Sequence, residues 1–231
     1  MSEINMPMGY KWQEYMGDSC IFCKLKENDW LERRRKHISA SDAACVIGIG
    51  FKSNVELWEE KTGMPISQSH SPQIQKLMQK GTEAESHIRE LYAIDHDIEE
   101  IYDGTLVLCE SKSHPFMSCT LDAWFIDADG EACILEIKRS EHAKMFSREE
   151  YPLKYRAQIL HQMMVTGIHK AVLCPYVYWT DSDGYGHSYM NEYRIDSSDD
   201  KVKYDMEILL EKEKEFWDYV ERKERPPKII L

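Results

Sequence analysis

Hydrophobic positions along the chain change texture twice, from helical to strand-like and back to a mixture of the two. Ser53-Asn-Val-Glu56 is a capping-box pattern that opens a helix through Leu57 and Trp58, and Gly63 stops it. Thr82-Glu-Ala-Glu85 repeats that pattern, and Ala84, Ile88, Leu91 and Tyr92 follow as one apolar stripe at helical spacing. Between them Ser67-Gln-Ser-His-Ser-Pro72 reads as an exposed loop. From about Ile98 to Lys138 β-branched and aromatic runs take over, broken at Asp103-Gly104 and Asp127-Ala-Asp-Gly130, which predicts a meander of antiparallel strands. A helix then spans about Lys154 to Thr166, with Gly167 as its stop. Strands over Ala171 to Trp179 and Ser188 to Ile195 flank the turn Asp181-Ser-Asp-Gly184. Val202, Met206, Leu209, Leu210, Phe216, Trp217 and Val220 recur at helical spacing until Pro226-Pro227. No repeat or low-complexity linker interrupts this order. It predicts one domain over 1–231 with an α/β fold, a mixed central β-sheet flanked by α-helices.

The segment with most chemistry is Ser118-Cys-Thr-Leu-Asp122, followed across the Asp-Gly turn by Ile134-Leu-Glu-Ile-Lys138. Alternation along a strand puts Cys133, Leu135 and Ile137 on one wholly apolar face, and Ile134, Glu136 and Lys138 on the other. A hairpin partner can bring Asp122 alongside. Two carboxylates in one small space repel unless a cation sits between them, and such oxygen donors suit a hard ion, Mg²⁺ or its substitute Mn²⁺. A lysine beside a bound dication has its pKa lowered and can help deprotonate or orient water. The ion would neutralise charge building on a phosphoryl oxygen, so the set fits phosphodiester hydrolysis. The competing reading is a single Glu–Lys pair on a solvated strand face.

Composition narrows the setting. The chain has 231 residues with 42% hydrophobic and 11% aromatic positions, ample for a packed core. No apolar run approaches the roughly 18 residues of a spanning helix, and the first residues lack a leader's basic-then-apolar pattern, so a cytosolic protein with no membrane partner is expected. The seven cysteines are an odd, scattered set that fits reduced thiols, and Cys20-Ile-Phe-Cys23 reads as a chance pair, with half a zinc site as the alternative. His37, His87, His114, His142 and His161 have no metal-binding spacing. Lys+Arg 29 against Asp+Glu 41 gives a net charge of -12, which at face value repels polyanions. Screening beyond about 8 Å makes local charge decisive, however, and the basic run Arg33-Arg-Arg-Lys36 directly precedes Ser39-Ala-Ser-Asp42, a capping pattern whose helix N-terminus can bind phosphate.

Four blocks, in order over roughly Arg34 to Gly167, resemble the lambda exonuclease-like (YqaJ-type viral recombinase) family of the PD-(D/E)xK nuclease superfamily. They are Arg34-Arg-Lys-His-Ile-Ser-Ala-Ser-Asp-Ala-Ala; Gly81-Thr-Glu-Ala-Glu85; Asp122 with Glu136-Ile-Lys138; and Tyr155-Arg-Ala-Gln-Ile-Leu-His-Gln-Met163 leading to Val165-Thr-Gly167. The resemblance implies a restriction-endonuclease-like core and a Mg²⁺-dependent 5′→3′ exonuclease on double-stranded DNA ends. Such an enzyme releases mononucleotides and leaves 3′ single strands for phage-type recombination in a bacterial or phage-infected cytosol. It further implies a homotrimeric ring and a single-strand annealing protein as partner. By resemblance Asp122, Glu136 and the backbone carbonyl of Ile137 are the metal ligands, Lys138 and Gln158 manage the water, and Glu85 stands beside the metal. Arg34, Ser41 and Thr120 would hold the 5′-phosphate. For Glu85 a plain cap on Thr82 competes, and for Arg34 membership of a solvated basic run. One cysteine alone, Cys174, follows Gln158, so no iron–sulphur cluster is expected, and Leu121 stands where relatives commonly carry Pro. A junction resolvase or other endonuclease, or a catalytically idle DNA-binding protein, are the alternative functions.

Overall fold

The computed structural model of the protein describes residues 9–64, 72–140, 146 and 150–230. The first half runs α1 (Gly9–Met16), β1 (Cys20–Lys24), α2 (Glu27–Arg35), β2 (Ile38–Ser39), α3 (Ala40–Val46), α4 (Asn54–Lys61), α5 (Pro72–Asp95), β3 (Ile101–Asp103), β4 (Val107–Ser111) and β5 (Met117–Cys119). The second runs β6 (Ala123–Ile126), β7 (Ala132–Ser140), α6 (Leu153–Thr166), β8 (Lys170–Thr180), β9 (Gly186–Met190), β10 (Tyr193–Asp196) and α7 (Asp200–Arg222). The larger sheet has the order β10-β8-β7-β6-β3, with β9 also on β8. β7 and β8 are parallel and joined through α6, whereas β3–β6, β6–β7 and β8–β10 are antiparallel, so the sheet is mixed as expected. A smaller sheet, β1-β4-β5-β2, lies beside it.

Alternation along β6, β7 and β8 feeds two cores. Ala123, Phe125, Cys133, Leu135, Ile137, Val172 and Cys174 pack with Ile88 and Tyr92 of α5. Trp124, Ile134, Ala171 and Leu173 face the other way, into a cluster with Trp12, Cys109, Met117, Ala157, Leu160 and Leu209. The α7 stripe packs inside the chain, with Phe216 and Val220 against Leu57 and Trp58. Cys20 is buried and Cys23 half-buried beside the Arg33 guanidinium, so the two thiols point into different surroundings.

Three expectations need correction. The meander is divided between sheets: β4 and β5 leave for the smaller one, and β3 pairs directly with β6. Gly104 permits that departure, because a Cβ there would lie 2.1 Å from the Leu121 carbonyl oxygen. The strand over 188–195 is two strands, β9 and β10, which meet β8 on either side of Pro175, a residue with no N–H to continue the ladder. The helix expected to begin at Thr82 begins at Pro72, whose fixed φ suits a first helical position, and it runs through Gly81 at a cost of about 1 kcal/mol relative to alanine. Residues 67–71 of the expected loop, and His142, lie outside the described residues.

α4 opens as its capping box requires, Ser53 and Glu56 bonding reciprocally. It ends at Lys61, a lysine whose side chain is only 1% exposed and reaches the buried Asp42 of α3 at 2.8 Å. Burial opposes charge on Asp42, yet Lys61, Arg34 and Lys52 outweigh it and hold the carboxyl well below the usual carboxylate range. Asp42 in turn accepts from the N–H and hydroxyl of Ser39, closing the first turn of α3. Removing one partner of such a pair strands a buried charge, so Lys61→Met is expected to cost about 3–5 kcal/mol in urea unfolding at neutral pH. Because the depressed carboxyl stabilises the fold above its unfolded pKa, the deficit relative to wild type should shrink as pH falls below about 4.

Candidate active site

Glu136 is fully buried on the face of β7 that looks toward α6. Its Oε1 accepts from the Lys138 ammonium and from Gln158 Nε2 at 2.5 Å, and its Oε2 accepts from Gln162 Nε2 at 2.6 Å. Gln158 and Gln162 are one turn apart on α6, so one helix face grips both oxygens of the strand carboxylate. Asp122 precedes β6, and its Oδ2 accepts the Ile137 N–H at 2.8 Å, which ties the first carboxylate to the strand carrying the second. Burial and the Glu136 charge raise the Asp122 pKa, with Lys138 opposing. Burial also raises Glu85, where Lys138 opposes and Glu136 adds to the rise. Lys138 is pushed the other way: burial opposes its charge, but Glu136 and Asp122 keep it firmly protonated.

Because α5 runs unbroken from Pro72, Glu85 lies inside the helix and the capping explanation for it no longer applies. It lines the same cleft as Asp122, Gln158, Arg34, Ser41 and Thr120, a space of about 300 Å³. Arg34 donates to the Ser41 hydroxyl and lies 5.0 Å above the Trp30 ring, while the Trp30 indole N–H donates to Thr120 Oγ1 at 2.8 Å. Arg33 instead pairs with Glu110, so the basic run divides at Arg34 between structural pairing and the cleft.

Several members of this arrangement carried little or no sequence signal. Trp30 adjoins the basic run in sequence, but its link to Thr120 spans 90 residues. Arg89, one turn beyond Glu85, donates to Asp103 at 2.9 Å and approaches the Asp122 carbonyl oxygen at 3.5 Å. His161, on α6, is fully buried and pairs with the equally buried Glu213 of α7 at 2.7 Å, and its other ring nitrogen meets the Ser118 carbonyl oxygen at 3.0 Å. Burial disfavours its charge, but Glu213 outweighs that and raises its pKa. A charged imidazole thus clamps α6 between α7 and β5.

A model of the YqaJ-like viral recombinase domain matches residues 29–169. The chain belongs to that family. The matched span holds Trp30, Arg34, Ser41, Glu85, Thr120, Asp122, Glu136, Lys138 and Gln158, and leaves out α1, β1, β8, β9, β10 and α7. A curated relative, the uncharacterized protein YqaJ of Bacillus subtilis (strain 168), is 29% identical over 153 residues, 62% of this chain and 44% of that protein. This YqaJ-family chain thus matches less than half the length of that relative. An alkaline exonuclease, LHK-Exo from Laribacter hongkongensis, is similar with a TM-score of 0.54 at 20% identity, covering 85% of this chain and 97% of that one. Its complex with dAMP gives a TM-score of 0.57 at 21% identity, with 85% and 93% covered. A phage related exonuclease from Haemophilus somnus 129PT gives 0.50 at 11% identity, with 81% and 96% covered. At these identities the likeness establishes a shared fold, the restriction-endonuclease-like core.

The donor set suits a hard divalent ion. Two half-closed carboxyls with raised pKa values, Asp122 and Glu85, mark an excess of negative charge, and the buried Oε1 of Gln162 has no hydrogen-bond partner. Among the described residues no three His, Cys, Asp or Glu side chains cage an ion by themselves. Two carboxylates with main-chain and water oxygens is the manner of Mg²⁺ rather than of zinc. A carboxyl with a raised pKa destabilises the fold when ionised, and stability should therefore rise as pH falls from its folded toward its unfolded value. Asp122→Asn is accordingly expected to melt at a higher temperature than wild type at neutral pH without metal. Mg²⁺ should raise the melting temperature of wild type and leave that of Asp122→Asn nearly unchanged.

Proposed function

We propose that the protein, as one domain over 1–231, is a Mg²⁺-dependent deoxyribonuclease that degrades double-stranded DNA 5′→3′ from 5′-phosphorylated ends. The carrying observation is that Asp122, Glu136, Lys138 and Gln158 converge beside the cleft that holds Arg34, Ser41 and Thr120. Such groups next to a recess that presents the Arg34 guanidinium with the Ser41 and Thr120 hydroxyls suit attack one nucleotide in from a captured end.

Asp122 and Glu136 would hold the ion with the Ile137 carbonyl, and Mn²⁺ could replace Mg²⁺. When bound, the ion supplies charge neutralisation at the phosphoryl oxygen and lowers the pKa of water at the site. The chain's own groups do the rest. Gln158 and Gln162 fix the Glu136 carboxylate so that its oxygens keep their direction through the reaction. Lys138, kept protonated by its pairing with Glu136, is placed to orient the attacking water by donating from its ammonium. Arg34 and Ser41 bind the terminal phosphate, the guanidinium by its planar fork. Trp30 holds Thr120 toward the same recess. Glu85 adds a third carboxyl that keeps the site short of cations until the ion arrives. The same reading includes a homotrimeric ring around duplex DNA and a single-strand annealing partner that takes the 3′ strand, in a bacterial or phage-infected cytosol.

Digestion of end-labelled linear duplexes bearing a 5′-phosphate or 5′-hydroxyl, beside a covalently closed circle, tests the proposal. Loss of 5′ label from the phosphorylated linear duplex alone, dependent on Mg²⁺, is expected. Cutting of the circle would instead indicate an endonuclease, and no metal-dependent cleavage of any substrate an idle DNA-binding protein. Lys138→Ala should lower the rate at least about 100-fold while duplex binding persists. Arg34→Ala should reduce the preference for phosphorylated over hydroxyl ends.

A further inference from the structure

Next to the hydrolytic groups a second cation is held at evident cost. Lys154 lies in the first turn of α6, where the positive end of the helix dipole disfavours it. That turn has no acidic residue, and its N-cap, Pro152, forms no side-chain capping bond. The Lys154 ammonium is sandwiched between two rings, 4.1 Å from the centre of Phe51 and 4.9 Å from that of Tyr155. Another cation, Lys138, also lies over the Tyr155 ring, 5.3 Å from its centre. Burial and Lys138 both push the Lys154 pKa down, and among the described residues it forms no ion pair. Phe51, although 78% exposed, spends its ring on this lysine. Neither residue lines the Arg34 cleft. A half-buried ammonium that has ring faces but no carboxylate beside it, near a like charge and a helix N-terminus, is a natural contact for an anion.

We propose that Lys154, held against Phe51 and Tyr155 in the first turn of α6, is a second phosphate site that grips an internal phosphodiester of the strand being digested. The assignment to that strand follows from Lys138, which on the nuclease reading orients the water that attacks the scissile phosphate and which shares the Tyr155 ring with Lys154. The inference rests on the nuclease reading above and adds to it a contact independent of the terminal phosphate. Lys154 then sets affinity for the DNA body, and Arg34 sets recognition of the end.

The test is anisotropy of a labelled duplex in EDTA across a salt series, for wild type, Lys154→Met, Lys154→Arg and Arg34→Ala. In Lys154→Met the slope of log affinity against log salt should fall by about 0.9, the value of one lost phosphate contact, and Lys154→Arg should restore it. The affinity lost should be equal for 5′-phosphorylated and 5′-hydroxyl duplexes, whereas Arg34→Ala should lose affinity for the phosphorylated form alone. An unchanged slope, or a loss confined to phosphorylated ends, overturns the second site. If wild type digests duplex and Lys154→Met matches it throughout, this inference alone fails. If wild type neither binds nor cuts duplex, the nuclease reading fails and this one with it.

Discussion

The burial of one carboxylate, Glu136, constrains everything around it. An ionised group taken from water must recover its lost solvation from fixed donors, and here an ammonium and two amides do so. Those donors come from β7 itself and from α6, so the strand and the crossover helix can settle only where all three bonds form together. Asp122 joins the same arrangement through the Ile137 N–H. The geometry needed for chemistry and the geometry needed to bury a charge are therefore one geometry. The raised carboxyls beside it show that this order is reached with electrostatic tension left over, and a divalent cation is the natural relief.

Two further buried pairs position the flanking helices. Asp42 and Lys61 fasten α3 to α4, and through Ser39 they fix the turn that presents Ser41 to Arg34. His161 and Glu213 fasten α6 to α7, next to the Gln162 that binds Glu136. Neither pair faces the cleft directly, yet each supports an element that does. Ionic pairs of this depth set direction more than they add stability, because a misplaced partner leaves a charge unsatisfied.

Much of this was legible in the sequence, for reasons that differ by element. Alternation across Ile134 to Lys138 assigned both faces of β7 correctly, because a strand buried on both sides leaves little freedom in register. The stops at Gly63 and Gly167 were legible because both glycines adopt positive φ. What failed depended on distant partners. Thr82 to Glu85 satisfies a capping pattern locally, but the preceding residues continue the helix and make the pattern irrelevant. The Asp103-Gly104 break was visible, whereas the departure of the next strands to another sheet depends on close approach to Leu121. Trp30 and Thr120, or His161 and Glu213, are joined across separations no local periodicity can reveal.

The His161–Glu213 pair also bears on where this protein can be divided. The family match ends at residue 169, just before β8, while Glu213 lies well beyond it on α7. A chain cut at the limit of the family match would keep His161 but lose its counter-ion, together with β8, the parallel neighbour of β7. It would also uncover the apolar faces that Phe216 and Val220 now cover. The boundary that homology draws is thus not an energetic one, and α7 is as much a part of the scaffold around the candidate site as the helix it braces.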